Sequence, residues 1–122
     1  MIARNNKYDL EERTARFGED IILFCKKISP GLITAPLLHQ LVKAATGTGA
    51  NYAEADDTES KNDFKHKTGI CKKESRETKH FLRMLVSAIP EMRKEILPLW
   101  KEAKELNLIF NAINNKLKSG KP

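Results

Sequence analysis

Six cations on one stretch of chain share a side. At about 100° of turn per helical residue, Lys61, Lys65, Lys72, Arg76, Lys79 and Arg83 fall within an arc of about 60°. The acids of the same stretch, Asp63, Glu74 and Glu77, point elsewhere, so pairing at i,i+4 leaves the stripe unneutralised. Such a row suits a nucleic-acid backbone, where each Lys or Arg displaces condensed counterions. It also describes an ordinary solvated helix face, and Asp56, Asp57 and Glu59 lie just upstream, placed to mask the first lysines. Neither an RNA-binding module signature nor a row of aromatics accompanies the stripe. Binding through it would follow shape and charge, not base sequence.

Other residues with chemical potential lead less far. Glu77-Thr78-Lys79-His80 has the Glu-x-x-His spacing of di-iron bundles, which need two such pairs on different helices and two further carboxylates. The other candidate, Asp63-Phe64-Lys65-His66, lies on the same helical stretch about 20 Å away. His39 has Pro36 at the required spacing, and Pro cannot ligate. No metal and no cofactor is expected. The two cysteines, Cys25 and Cys71, form no Cys-x-x-Cys pair and fall on apolar stripes. Two reduced, buried thiols are the expectation, although the spacing also leaves a Cys25–Cys71 disulfide open. Cys71 beside a histidine has the makings of a nucleophile pair, but a thiol on an inner stripe belongs to a core. With no nucleophile elbow and no paired-carboxylate site, the chain is expected not to be an enzyme.

Helices must position these residues. Asp9-Leu10-Glu11-Glu12 has the form of a capping box. After it, Leu10, Thr14, Phe17, Ile21, Phe24 and Ile28 recur at steps of three and four, a single stripe facing a neighbour. Ser29-Pro30-Gly31 stops that helix and Thr34-Ala35-Pro36 starts the next, with Leu38, Leu41, Ala45, Thr48, Tyr52 and Ala55 inward. Gly47 and Gly49 each cost about 1 kcal/mol against Ala in a helix, which predicts close approach of another backbone. Gly47-Thr48-Gly49 is no phosphate loop, because no strand precedes it. Ser60-Lys61-Asn62-Asp63 opens a third helix with Phe64, Thr68, Cys71, Ser75, Thr78, Leu82 and Leu85 inward, closed by Pro90. The last carries Ile96, Leu99, Ala103, Leu106, Phe110, Ile113 and Leu117, with Pro98 either kinking it or marking its first turn. Ser119-Gly120-Lys121-Pro122 is expected to fray.

No segment alternates with the period of two that marks a strand. Short connections between long helices make neighbours antiparallel. The expectation is all-α: one domain over 1–122, an antiparallel up-down-up-down four-helix bundle with helices at about 9–28, 35–58, 61–88 and 91–118. An open helical array is the less economical alternative. On the last helix Leu97 and Leu108 point nearly opposite the core and Trp100 lies a quarter-turn off it, which suggests a second interface for self-association.

Composition agrees. The chain has 122 residues, 40% hydrophobic and 31% charged, with only six glycines and five prolines, which suits one domain, argues against a disordered or fibrous chain, and excludes a large two-domain enzyme and a disulfide-stapled mini-protein. Its net charge of +6 is concentrated late, at +5 for 61–90 and +3 for 91–122, against −3 for 32–60. Met1–Lys7 carries no apolar signal region, and no stretch approaches the roughly 18–20 apolar residues of a spanning helix. A soluble cytoplasmic protein, with no membrane partner, is expected.

The stretch from Leu41 to Ala55, LVKAATGTGANYAEA, resembles the second helix of the bacterial four helix bundle protein family, also called the 23S rRNA intervening-sequence protein family. Ser60–Lys67 and Lys73–Lys79 are similar to its third helix, and Leu106-Asn107-Leu108-Ile109-Phe110 sits where its closing helix does. The resemblance spans about residues 8–118. It implies a four-helix bundle assembled as a ring-like homopentamer. It also implies kinship with the accessory protein of diversity-generating retroelements, which binds nucleic acid and a reverse transcriptase through basic surfaces. Gly49, Ala50, Asn51, Glu54 and Ala55 match the second-helix motif as packing or assembly residues, and Lys61, Phe64 and His66 match the third-helix start. With the pattern, this makes Gly47, Gly49, Ala50 and Ala53 the helix-packing candidates. The family supplies no catalytic residue. It usually has a small apolar residue where this chain has Arg76, a departure that lengthens the basic stripe.

Together these features predict a non-enzymatic accessory protein that binds RNA or an RNA/DNA intermediate without sequence preference. The alternative is a protein-interaction adaptor or scaffold, for example a reverse-transcriptase partner, with nucleic-acid binding incidental. The stripe faces outward, into a channel or into a subunit contact; the sequence leaves the three open.

Overall fold

The computed structural model describes residues 9–118. The readings of Met1–Lys7 and of Ser119–Pro122 fall outside the described residues. Four helices account for almost all of the described chain: α1 (Leu10–Cys25), α2 (Thr34–Asp56), α3 (Lys61–Ala88) and α4 (Arg93–Lys118). A 3₁₀ turn, Pro90–Met92, precedes α4, and no strand occurs among the described residues.

The helix ends follow from local chemistry. Asp9 accepts the Glu12 N–H at 3.3 Å and Ser60 accepts the Asp63 N–H at 3.2 Å, so both serve as N-caps. At its other end α1 tightens. The N–H groups of Lys27 and Ile28 bond three residues back, to Phe24 and Cys25, which ends the regular helix at Cys25 and leaves Ile28 packed on the core beyond it. At the start of α2 the Thr34 hydroxyl accepts the Gly31 N–H at 2.7 Å, closing the turn. Pro98 is inside α4, one full turn past its start, where the ring removes one N–H from the ladder.

Contacts between helices fix their order. Gly18 lies against Thr46, and Gly49 against Thr14. Cys71 meets Thr48, and Lys67 pairs with Glu54. Asn107 meets Lys72 and Asn114 meets Lys65, while Arg13 pairs with Glu102 and Lys27 with Glu95. Each helix therefore touches two neighbours, α1 with α2 and α4, α3 with α2 and α4. In every pair the residue numbers run in opposite senses.

The core has bulky ends and a small middle. Phe17, Ile21, Phe24, Leu41, Leu82, Leu85 and Ile96 fill one end. Phe110 stacks at a tilt on Tyr52, ring centroids 5.7 Å apart, toward the other. Between them sit Thr14, Ala45, Thr48, Cys71, Ser75 and Thr78, all buried. Their hydroxyls return to their own helices: Thr14 to the Leu10 carbonyl at 2.7 Å, Thr48 to Ala44 at 2.9 Å, Thr78 to Glu74 at 2.8 Å. Satisfied internally, these groups are buried without the cost of an unpaired polar atom, and their small size lets the helices approach.

The glycines of α2 behave differently from one another. A Cβ on Gly49 would stand 3.3 Å from the Thr14 carbonyl oxygen, so α1 backbone does lie close there. At Gly47 the space is taken by the Glu74 carboxylate, a side chain and not a backbone. The expectation of close backbone approach is corrected at that position. Ala53 is half-buried. Ala50 is exposed, one residue round the helix from the α1 contact, so its expected packing role is not met within the chain. Cys25 and Cys71 are both free thiols, which closes the disulfide alternative. Burial pushes the Cys71 thiol up to about 12 and Cys25 to about 11, which leaves neither poised as a thiolate nucleophile.

Replacing Gly49 by Leu forces α1 and α2 apart and is expected to cost about 1–3 kcal/mol in urea denaturation. Ala50→Leu, on the adjacent exposed position, is expected to stay within about 0.5 kcal/mol. Equal effects would show that the α1–α2 contact is not the constraint described.

Candidate nucleic-acid interface

Two buried asparagines build the seam between α3 and α4. Asn107 donates to the Lys72 carbonyl at 2.9 Å and to the Ser75 hydroxyl at 3.1 Å. One heptad on, Asn114 donates to the Lys65 carbonyl at 3.2 Å and to the Thr68 hydroxyl at 3.4 Å. Each amide uses both of its N–H groups, and among the described residues no buried side-chain nitrogen or oxygen is left unpaired. The two carbonyls that the asparagines hold belong to Lys65 and Lys72, two members of the basic stripe. Main-chain bonding inward leaves both lysine side chains free to reach outward.

The stripe consequently runs along the edge of α3 that borders α4. Beside it lies an open groove of about 620 Å³, lined by Lys65, Lys72, Lys73 and Arg76 of α3 and by Asn114 and Lys118 of α4. His66, Gly69 and Ile70 also line it, and no carboxylate does. Toward the 3₁₀ turn a second pocket, of about 450 Å³, is lined by Arg83, Val86 and Ser87 of α3 and by Arg93, Ile96, Leu97 and Trp100 of α4. Lys61 and Lys79 line neither, though both belong to the same edge. Lys73 and Lys118 enlarge the set beyond the wheel arithmetic, because they join it only when α4 is placed beside α3.

The ion pairs observed among the described residues join other elements or lie within α1. Arg13 grips Glu102 through two nitrogens at 2.8 and 2.9 Å and also reaches Glu105 at 3.0 Å. Hydrogen bonding to Glu102 raises its pKa above the ordinary arginine value. Lys27 pairs with Glu95 at 2.9 Å, Arg16 with Glu12 at 3.5 Å and Lys67 with Glu54 at 2.5 Å. Among the described residues none of Lys61, Lys65, Lys72, Arg76, Lys79 and Arg83 makes an ion pair. Asp56, Asp57 and Glu59 do not mask Lys61 or Lys65 in this way. Glu74, the acid of α3 nearest the core, lies against Gly47 on the α2 side, away from the stripe. Burial, with the Glu77 charge second, raises its carboxyl above the usual range.

The apolar candidates separate. Leu97 and Leu108 are exposed, at 43% and 56%. Trp100 is half-buried and packs on the core edge, with the Lys104 ammonium 5.5 Å from its ring centroid. Leu97 and Trp100 thus share a pocket with Arg83, a stripe residue, and Leu108 does not line it. Leu32 and Ile33, in the turn before α2, and Leu23 on α1 are also exposed, and no sequence pattern marks them. Among the described residues no three His, Cys, Asp or Glu side chains cluster so as to hold a metal ion. The His80 ring packs edge-on against Phe81 at 5.2 Å. None of the helices of the described residues is long and apolar enough to cross a membrane.

No family model matches the chain, and no curated protein matches it. Among solved structures the chain is similar to a protein of unknown function from the S23 ribosomal protein family of Bacteroides thetaiotaomicron. The TM-score is 0.73 at 24% identity, over 85% of this chain and 96% of that one. At that identity the likeness extends to the fold: a helical arrangement of this kind is shared by a protein whose own activity is unknown.

Asn107→Asp tests the seam. A carboxylate there has no proton to give the Lys72 carbonyl, whereas the protonated acid has one. Burial beside carbonyls raises the folded-state pKa of the new acid above its unfolded value of about 3.9. Stability is therefore kept below that value and lost as pH rises through the folded pKa. The variant is expected to melt well below the parent at pH 7 and to approach it near pH 4; a pH-independent difference would contradict the donor role.

Proposed function

We infer that this chain is a non-enzymatic nucleic-acid-binding accessory protein, acting on structured RNA or an RNA/DNA intermediate, whose α3–α4 seam follows the phosphate backbone. The observation that carries this is the groove with no carboxylate in its lining, whose cations make no ion pair among the described residues. Unpaired cations side by side repel one another, and a polyanion relieves that repulsion while releasing its own counterions. The opposed residue order at every helix contact supports an antiparallel up-down-up-down bundle. The resemblance to the intervening-sequence family and the ribosomal family name of the structural neighbour point the same way as the charge. Recognition through such a seam is by shape and charge, in the cytoplasm, with no base-specific code.

Assembly into a homo-oligomer, a pentamer by the family resemblance, belongs to the same proposal. Exposed Leu97, Leu108, Leu32 and Ile33 supply apolar surface for it. Repeating the seam in several copies converts a weak phosphate contact into a useful one. Light scattering is expected to give a mass near five times the chain's 13.9 kDa; a mass near the single chain would overturn the ring. The same exposed apolar residues favour the second reading, a protein adaptor such as a reverse-transcriptase partner, in which the basic seam docks an acidic surface.

Fluorescence anisotropy with a structured RNA and a DNA duplex, across a salt series, separates the two. Binding with a steep negative salt slope is expected. Changing Lys72, Arg76, Lys79 and Arg83 together to Gln should lower affinity at least tenfold and reduce the slope by up to about 0.9 for each phosphate that is no longer neutralised. Unchanged affinity in that variant removes the seam from the interface, and absence of binding at low salt leaves the adaptor as the function.

A further inference from the structure

The pocket near the 3₁₀ turn has a different chemistry from the groove. Val86, Ile96 and Leu97 give it apolar walls, Trp100 gives it an indole, and Arg83 and Arg93 give it two guanidinium groups. Among the described residues neither arginine makes an ion pair. A phosphate alone has no use for the indole and the aliphatic walls. A purely apolar group has no use for two arginines. An aromatic ring that carries a phosphate uses both, the ring against Trp100 or a guanidinium plane and the phosphate on the arginines. A volume of about 450 Å³ is within the range of small-ligand sites. Trp100 is only half-buried, so part of the indole is open to the surface, and the Lys104 ammonium lies 5.5 Å from its centroid.

We propose that this pocket takes one unpaired nucleobase with its flanking phosphate, at the end of a strand that runs along the basic seam. The proposal rests on the function inferred above. Its link to the seam is Arg83, which lines the pocket and is also the last cation of the stripe. From Lys65 to Arg83 is eighteen residues of one helix, about 27 Å, room for several nucleotides. A duplex keeps its bases stacked inside and cannot offer one to the pocket without opening. The pocket therefore gives the protein a preference for single strands, overhangs or loops that the phosphate-tracking seam lacks.

Trp100 is the chain's only tryptophan, so its emission reports on this pocket alone. The test titrates the full chain with a single-stranded oligouridine of about twelve nucleotides and with an RNA duplex of the same length, reading ligand anisotropy and Trp100 fluorescence together. Both are expected to bind, and only the single strand to quench Trp100. Trp100→Leu should weaken single-strand binding roughly tenfold and leave duplex binding within about twofold, while Trp100→Phe retains single-strand binding. Arg93→Gln, an exposed position outside the stripe, should weaken the single strand selectively and keeps the test open if Trp100→Leu fails to fold. Single-strand binding without quenching, and unaffected by Arg93→Gln, overturns the pocket and leaves the seam intact. Failure of both nucleic acids to bind overturns the seam reading itself. Quenching by an acidic, aromatic-bearing peptide and not by oligouridine overturns the base site and assigns the pocket to a protein partner.

Discussion

The register of α3 against α4 is set by two buried amides. Apolar side chains hold these helices together, but apolar contact is non-directional and tolerates sliding by a turn. Asn107 and Asn114 do not tolerate it. A slide of either helix strips two amides of their partners in a buried seam, and each broken bond leaves an unsatisfied donor at a cost of about 1–3 kcal/mol. The pair therefore selects one alignment out of several that the hydrophobic stripe alone would permit. Everything proposed for the seam, including which lysines border the groove and which arginines meet Trp100, depends on that alignment.

Charge is sorted around the bundle in the same frame. Arg13 joins α1 to α4, Lys27 joins the turn after α1 to α4, and Lys67 joins α3 to α2, each through a carboxylate of the facing helix. The α3–α4 edge has asparagines where the α1–α4 and α2–α3 edges have acids. An amide can pin a helix without cancelling the neighbouring cations; a glutamate at the same place would have neutralised a lysine. The choice of residue at 107 and 114 thus serves alignment and leaves the field of the stripe undiminished. Surface ion pairs of the exposed kind contribute little stability. Their absence from this edge among the described residues costs the fold little and leaves the cations available.

Much of the architecture is readable from local pattern. The two capping residues, Asp9 and Ser60, act on donors three residues away, and the three-four stripes mark every core face, because both depend on spacing within a single helix. The basic stripe is readable for the same reason. The seam is not, since Lys73 and Lys118 border the groove only once two helices are paired. Asn107 and Asn114 escape a reading that scores apolar residues; their signal is a seven-residue repeat matched by Thr68 and Ser75 on the facing helix. Gly47 and Ala50 show the converse limit. Both are small and both sit in the motif, yet one makes room for a carboxylate and the other faces solvent, because a residue's size does not specify what stands opposite it.

Groove and pocket are mounted on one rod. α3 is continuous from Lys61 to Ala88, pinned by asparagines near Lys65 and Lys72 and by Leu82 and Leu85 in the core at its other end. In the proposed mode of binding, the distance between a phosphate at Lys65 and a base at Trp100 is therefore fixed by helix geometry and not by a flexible linker. Two weak contacts at fixed separation reinforce each other when the ligand's own spacing matches, since the second forms at high effective concentration. They do so poorly when it does not. A strand short of the full span, or a duplex unable to release a base, engages one contact and forgoes the gain. On the proposed reading, discrimination between nucleic-acid shapes arises in this way on a surface that reads no sequence at all.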